Sequence, residues 1–148
     1  AWDAGYVVVV AAGNNGPAAH TITTPGISRK VITVGCSDDD REVLVGGNRM
    51  VDYSGRGPTA ACICKPDLVA PGCSVVSCSS RADKYTIKSG TSMSTPIVSG
   101  AVALLLERFP DMSNKDVKLR LRESSVDIGL PRNQQGWGLL DVGKMLER

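Results

Sequence analysis

A run of apolar β-branched residues near the start of the chain constrains the fold more than any other feature. Residues 6–12 read YVVVVAA, and the run ends in the turn-forming residues GNNG. A strand that is apolar on both faces is typical of the interior of a parallel sheet, where helices cover both sides. A similar run, KVITVGCS at residues 30–37, predicts a second strand of this kind. Together they indicate an α/β domain with a mostly parallel sheet.

The middle of the chain predicts shorter elements. Residues 38–54 surround the pair Gly46–Gly47, which predicts a short hairpin with its turn at the two glycines. The segments PDLVAPG and CSVVSCSS, which together form residues 66–80, predict one further short strand after a Pro-Gly turn. No internal repeat or low-complexity segment interrupts this pattern.

The longest predicted helix covers residues 93–110. Pro96 is expected in its first turn, where the missing N–H costs little, and Pro110 ends it. Residues 97–106 are apolar on nearly every side, which predicts a helix buried all round. Gly100 is expected to let this helix pass close to another element.

The C-terminal part of the chain carries clear helix-capping signals. Ser113 and Asp116 are spaced as a capping box at the start of another helix, whose inner face is marked by Val117 and Leu121. The segment GWGLLD then predicts a short extended stretch. Asp141 is placed to cap a last short helix over residues 142–147.

Composition and charge exclude several classes of function. The chain has 148 residues, enough for one domain with a core, and its 42% apolar and 22% charged residues are ordinary for a globular protein. A net charge of +2 gives no electrostatic reason for nucleic-acid or membrane binding. No apolar run approaches the ~20 residues that a membrane-spanning helix needs. Because the chain opens without Met or a helix cap, it is expected to be a fragment or the downstream chain of a cleaved protein.

The five cysteines give no metal motif. An odd number leaves at least one unpaired, no C-x-x-C pair occurs, and His20 is the single histidine. We therefore expect no bound metal and interpret the cysteines mainly as small buried hydrophobes. Unpaired cysteines lean toward a reducing, cytoplasmic compartment, although secretion stays open.

Ser92 is the first candidate for chemistry. It lies in SGTSMSTP, directly before the long apolar helix. A helix N-terminus offers free N–H groups and a favourable dipole, which would stabilise an oxyanion formed there, so Ser92 is a plausible nucleophile. In the alternative interpretation, Ser92 or Thr91 is simply the N-cap of that helix.

Asn14 is the second candidate. It follows the first predicted strand, and active sites of α/β proteins form in loops at the carboxyl ends of parallel strands. An Asn amide can donate a hydrogen bond to an oxyanion. The alternative is a turn residue that tolerates a left-handed backbone.

Five motifs in fixed order resemble one enzyme family over nearly the whole chain. They read VVVVAAGNNG, YSGRGP, KPDLVAPG, SGTSMSTPIVSGAVALLL and GWGLLDV. This series resembles the second half of a subtilisin-like serine peptidase, a subtilase. The resemblance implies a partial three-layer α/β fold with the N-terminal half absent. Residues 1–148 would be the C-terminal portion of one catalytic domain.

The resemblance also implies roles for individual residues. Ser92 corresponds to the catalytic nucleophile, and its backbone N–H together with the side-chain amide of Asn14 would form the oxyanion hole. Thr24–Pro25 lies in a loop where relatives often have a cis peptide. The residues that the resemblance assigns to substrate binding are Ala11, Ala12, Gly13, Thr23, Gly90 and Thr91.

Two members of the expected catalytic triad have no counterpart here. The family order is Asp, His, Ser, and neither an Asp motif nor an HGT motif occurs in the chain. His20 lacks that context and is interpreted as a loop histidine. We therefore expect a serine endopeptidase in the parent protein and an inactive fragment in residues 1–148. The fragment is expected to self-associate or to pair with the N-terminal half.

Two further expectations remain open. The alternative function is a catalytically inactive subtilase-like scaffold or binding module. Calcium is possible in the parent because relatives often bind it, but the acidic residues 37–42 are interpreted as a solvated turn, because real calcium loops space their oxygen ligands.

Overall fold

The computed structural model describes residues 1–80 and 84–147. After a short 3-10 helix at Trp2–Ala4, seven strands are described: β1 Val9–Ala11, β2 Ile32–Cys36, β3 Val43–Val45, β4 Asn48–Met50, β5 Leu68–Ala70, β6 Val75–Cys78 and β7 Tyr85–Lys88. Four α-helices accompany them: α1 Thr91–Arg108, α2 Asn114–Ser124, α3 Arg132–Gln135 and α4 Val142–Leu146. Among these residues no helix is long and apolar enough to cross a membrane.

A three-stranded parallel sheet in the order β1-β2-β5 forms the centre of the fold. Val34 of β2 pairs with Ala11 on one side and Leu68 on the other. All five residues of β2 are buried, as its apolar sequence predicts. The first apolar run was predicted to form an interior strand, and this is wrong for the described sheet. β1 is three residues long, half-buried, and lies at the edge.

Helix α1 packs against this sheet through one face only. Val98, Ala101, Val102 and Leu105 are buried against Ile32, Val34, Leu68 and Ala70, together with residues of α2 and α4. The prediction of burial on every side is wrong, because Leu104 is 48% exposed. Gly100 makes no close approach, since a Cβ there would meet no atom within 4 Å. Pro96 is the sixth helical residue and so lies beyond the first turn.

Two antiparallel hairpins flank the sheet. The predicted hairpin is confirmed as β3 and β4, which are joined at Gly46–Gly47. The prediction for residues 66–80 is incomplete, because β5 belongs to the parallel sheet and β6 pairs with β7. β7 was not anticipated. Its sequence KYTIK gives too short a pattern to separate it from loop.

The C-terminal elements follow the capping signals. Ser113 caps α2, and its side chain and that of Asp116 form the complete capping box. Val117 and Leu121 are fully buried, as predicted. The Asp141 side chain accepts a hydrogen bond from the Lys144 N–H at the start of α4. Leu139 bridges both Val69 and Val126, which confirms the extended stretch.

The cysteines were mostly not the buried hydrophobes that were expected. Cys36 is buried, Cys73 is half-buried, and Cys62, Cys64 and Cys78 are exposed. All five are free thiols. The exposed ones lie in the loop before β5 and at the end of β6, where packing sets no requirement for an apolar side chain.

Candidate active site

The start of α1 decides between the two interpretations of Ser92. The N-cap is Gly90, with φ 140° and no side-chain cap, so the prediction that Ser92 or Thr91 acts as N-cap is wrong. Ser92 is the second helical residue and its side chain is exposed, whereas Thr91 is fully buried. Neither the N–H nor the Oγ of Ser92 makes a hydrogen bond to any described residue. The hydroxyl and an unpaired backbone donor are thus presented together at a helix N-terminus.

Thr91 fixes the orientation of the Asn14 amide. Asn14 Oδ1 accepts from the Thr91 N–H at 2.9 Å and from the Thr91 hydroxyl at 3.0 Å. Thr91 Oγ1 in turn accepts from the Gly13 N–H at 3.2 Å. With its oxygen held in this way, the amide directs Nδ2 away from Thr91, and Nδ2 has no acceptor among the described residues. The site therefore holds two free donors near one exposed hydroxyl, the Ser92 N–H and Asn14 Nδ2.

A chain of backbone contacts holds Gly90 in position. The Gly90 N–H donates to the Gly72 carbonyl at 2.9 Å. The Gly72 N–H donates to Asp38 Oδ1 at 2.7 Å, and the same oxygen accepts from the Cys73 N–H at 3.1 Å. A Cβ on Gly72 would lie 2.3 Å from Ser94 Oγ and 2.8 Å from Cys36 Sγ, so a larger residue there would require both side chains to move. Asp38 thereby supports the start of α1 indirectly, because its carboxylate holds Gly72 and the Gly72 carbonyl holds Gly90.

The acidic residues after β2 are structural. Asp39 is buried and accepts the Ser54 N–H at 2.7 Å. Burial raises the pKa of Asp39, and the hydrogen bond from Ser54 opposes that rise. The interpretation of residues 37–42 as a simply solvated turn is therefore wrong for Asp38 and Asp39.

The segment YSGRGP supports the Asn14 loop from the other side. The Gly55 N–H donates to the Gly13 carbonyl at 2.8 Å, and a Cβ on Gly55 would lie 2.7 Å from the Ala12 carbonyl oxygen. No role was predicted for this segment. Its two closely spaced glycines were the available signal.

The residues assigned to the substrate pocket come together around β1. Ala12 is buried, and its carbonyl accepts the Thr23 N–H at 3.0 Å. Thr23 lies directly over Gly13, because a Cβ on that glycine would be 2.5 Å from Thr23 Oγ1. Ala11 ends β1, and the Thr24–Pro25 bond is cis. Their role in binding a substrate stays a prediction.

His20 stays outside this arrangement. It is exposed, adopts a left-handed backbone with φ 63°, and makes no hydrogen bond to a site residue among those described. The geometry therefore brings together an exposed hydroxyl and two free N–H donors, while the histidine among the described residues lies apart from them.

The sequence as a whole matches one protein family. Residues 1–138 match the model described as the subtilase family, Peptidase S8. The chain belongs to the subtilase family. The sequence resemblance and the predicted partial α/β fold are thereby confirmed.

Individual subtilases show how much of such a protein the chain spans. It is 43% identical to serine protease AprX of Bacillus subtilis over 84% of this chain and 31% of AprX. It is 33% identical to the halolysin-like extracellular serine protease Nep of Natrialba magadii over 93% of this chain and 23% of Nep. The solved CspB protease of Clostridium perfringens superposes with a TM-score of 0.70 at 29% identity, over 88% of this chain and 29% of that one. The chain thus spans about a third or less of these subtilases.

The relatives also bear on cellular location. Nep is named an extracellular protease. The lean toward the cytoplasm, which rested on unpaired cysteines alone, therefore has no support from the subtilases that the chain matches.

Proposed function

We propose that the parent subtilase is a serine endopeptidase and that residues 1–148 form the C-terminal portion of its catalytic domain. One observation carries the proposal. The exposed Ser92 hydroxyl lies at the start of α1, and Thr91 holds the Asn14 amide with its Nδ2 free. A packing role alone requires neither an exposed hydroxyl nor an unpaired amide donor there.

The proposed reaction is acyl transfer from a polypeptide substrate. Ser92 Oγ attacks the peptide carbonyl, and a His from the upstream part of the domain takes its proton and returns it to the leaving amine. An upstream Asp holds that His in the correct tautomer. The Ser92 N–H and Asn14 Nδ2 stabilise the oxyanion, and water then hydrolyses the acyl-enzyme. The scheme uses protein groups and water alone.

The surface of the described chain is consistent with a missing partner segment. β1 pairs with β2 along one edge, and its other edge has no partner in the described sheet. Large apolar side chains are also exposed, among them Tyr6 at 67% and Leu104 at 48%. We propose that the N-terminal half of the domain covers this face and brings the Asp and His of the triad. In its absence, self-association through the open edge is expected.

Variants of the parent test this function. Ser92→Ala is expected to abolish turnover of a peptide substrate. Asn14→Ala is expected to lower kcat by at least ~10²-fold, the loss known for one oxyanion donor in subtilisin. The matched control is Ser94→Ala in the same helix, because Ser94 Oγ is buried and has no hydrogen-bond partner in the described chain. Turnover that survives Ser92→Ala would contradict the proposed role of Ser92, whereas a wild-type parent that shows no turnover would favour the scaffold.

A further inference from the structure

Two cysteines, an aspartate and a tyrosine meet below the start of α1. Cys36 ends β2, and Cys73 follows the turn after β5. One potential ligand atom from each of Cys36, Asp38 and Cys73 lies within 4.8 Å of the other two. Cys36 Sγ is 3.1 Å from Asp38 Oδ1, and the Tyr53 hydroxyl is 3.2 Å from each sulfur. Side chains from separate segments thus converge on one point.

We propose that Cys36, Asp38 and Cys73 form a binding site for one thiophilic divalent cation of the Zn²⁺ or Cd²⁺ type. Thiolate sulfur and carboxylate oxygen are both ligands for such ions. At a Zn–S distance of ~2.3 Å, two sulfurs of a tetrahedral site lie about 3.8 Å apart. The sulfurs of Cys36 and Cys73 therefore need to approach by no more than about 1 Å.

The backbone holds these ligands in place before any ion arrives. Asp38 Oδ1 accepts hydrogen bonds from the N–H groups of Gly72 and Cys73, so it fixes the loop that carries Cys73. Cys36 is held by its strand, and its N–H donates to Ser54 Oγ at 2.9 Å. Asp38 Oδ2 has no hydrogen bond among the described residues and stays free for a cation. Cys73 is half-buried and gives the ion access from solvent.

Ion binding is coupled to the loss of thiol protons. A thiol must lose its proton before its sulfur bonds a cation, so one Zn²⁺ that forms two metal–sulfur bonds releases two protons to solvent. The Tyr53 hydroxyl lies 3.2 Å from each sulfur and can donate a hydrogen bond to a thiolate. Affinity is therefore expected to increase with pH. The catalytic residues take no part in this binding.

The site is tested by titrating the full-length parent with Cd²⁺ under reducing conditions. Thiolate-to-cadmium absorption and proton release into a weak buffer are measured together. We expect one strongly bound ion and two released protons that Cys73→Ser removes. Cys73→Ser should weaken binding more than ~100-fold, the upper range for the loss of an outer-shell partner alone. The matched control Cys78→Ser changes an exposed thiol and should leave both signals unchanged.

Three results would overturn the site. They are a dissociation constant that Cys73→Ser leaves unchanged, equal losses in Cys73→Ser and Cys78→Ser, and ion binding without proton release. Cys36→Ala provides a second test of the ligand set, with near-UV circular dichroism to verify folding. The proton count is measured on the wild-type protein. The proposal can therefore still be refuted if either variant misfolds. None of these readouts uses peptidase activity.

Discussion

At the residue scale, the orientation of a single amide decides what the site can do. If Asn14 presented its oxygen outward, it would repel an oxyanion. The two hydrogen bonds from Thr91 hold that oxygen inward and leave Nδ2 free. In the proposed mechanism Thr91 is therefore a positioning residue, which acts on the reaction through Asn14.

Thr91→Val in the parent tests this positioning. The variant keeps the side-chain shape and the Thr91 N–H, but it removes the hydroxyl that donates to Asn14 and accepts from Gly13. We expect kcat to decrease by less than the ~10²-fold loss of a whole oxyanion donor, with KM little changed. Thr91→Ser should retain activity. Equal kcat in the valine variant and the wild type would contradict the role.

The raised pKa of Asp39 predicts that the stability of the folded protein depends on pH. Burial raises its pKa in the folded state above the ordinary value of 3.8. Its contribution to stability is therefore fully present below that ordinary pKa and is lost as pH rises through the folded pKa. Asp39→Asn keeps an oxygen for the Ser54 N–H but does not ionise.

The measurement is the thermal midpoint of the wild-type parent and of Asp39→Asn from acidic to neutral pH. The midpoint of the wild type, relative to that of the variant, should fall as pH increases. If the thermal midpoint of the wild type instead rises relative to that of Asp39→Asn as pH increases, the surroundings stabilise the carboxylate. That result would contradict the raised pKa of Asp39.

At the element scale, a glycine sets the start of α1. Gly90 has φ 140° and ψ 160°, a region essentially restricted to glycine, and a Cβ there would lie 3.3 Å from Asn14 Nδ2. Gly90→Ala in the parent is expected to cost about 1–3 kcal/mol of stability and to lower kcat, because strain at the cap displaces Ser92 relative to Asn14.

Denaturant unfolding and turnover of Gly90→Ala are compared with those of Gly143→Ala. Gly143 lies exposed in α4 with a negative φ, and a Cβ there would meet only the Asp141 side chain, 3.3 Å from Oδ1, which can shift slightly to admit alanine. The control should keep full activity. A Gly90→Ala variant with wild-type stability and turnover would show that the strained cap has no role.

Local signals explain which elements were predictable. The capping box at Ser113 and the turn at Gly46–Gly47 each depend on residues within a few positions, and both appear as predicted. The support for Gly90 depends on Asp38, which is 34 positions from Gly72 in sequence. Such long-range hydrogen bonds leave no periodic pattern in the sequence. Asp38 and Asp39 were therefore predicted to be solvated. The exposed face of α1 was missed because its apolar sequence looks alike on all sides.

At the scale of the whole molecule, the proposed site is one part of a larger catalytic unit. The described chain presents the proposed nucleophile and both proposed oxyanion donors, while its single histidine lies exposed and apart from them. A further strand can pair with the edge of β1 that has no partner in the described sheet. We therefore expect residues 1–148 alone to show no turnover and the upstream half, added in trans or in the same chain, to restore it.

The most direct measurement is phosphonylation by a serine-directed fluorophosphonate, followed by peptide mapping of the adduct. Labelling requires an activated hydroxyl together with an oxyanion hole, so it reports on the assembled site. We expect rapid modification of Ser92 in the full-length parent and negligible modification of residues 1–148 alone under the same conditions. An adduct on another serine in the parent, or equally rapid labelling of Ser92 in residues 1–148, would contradict it.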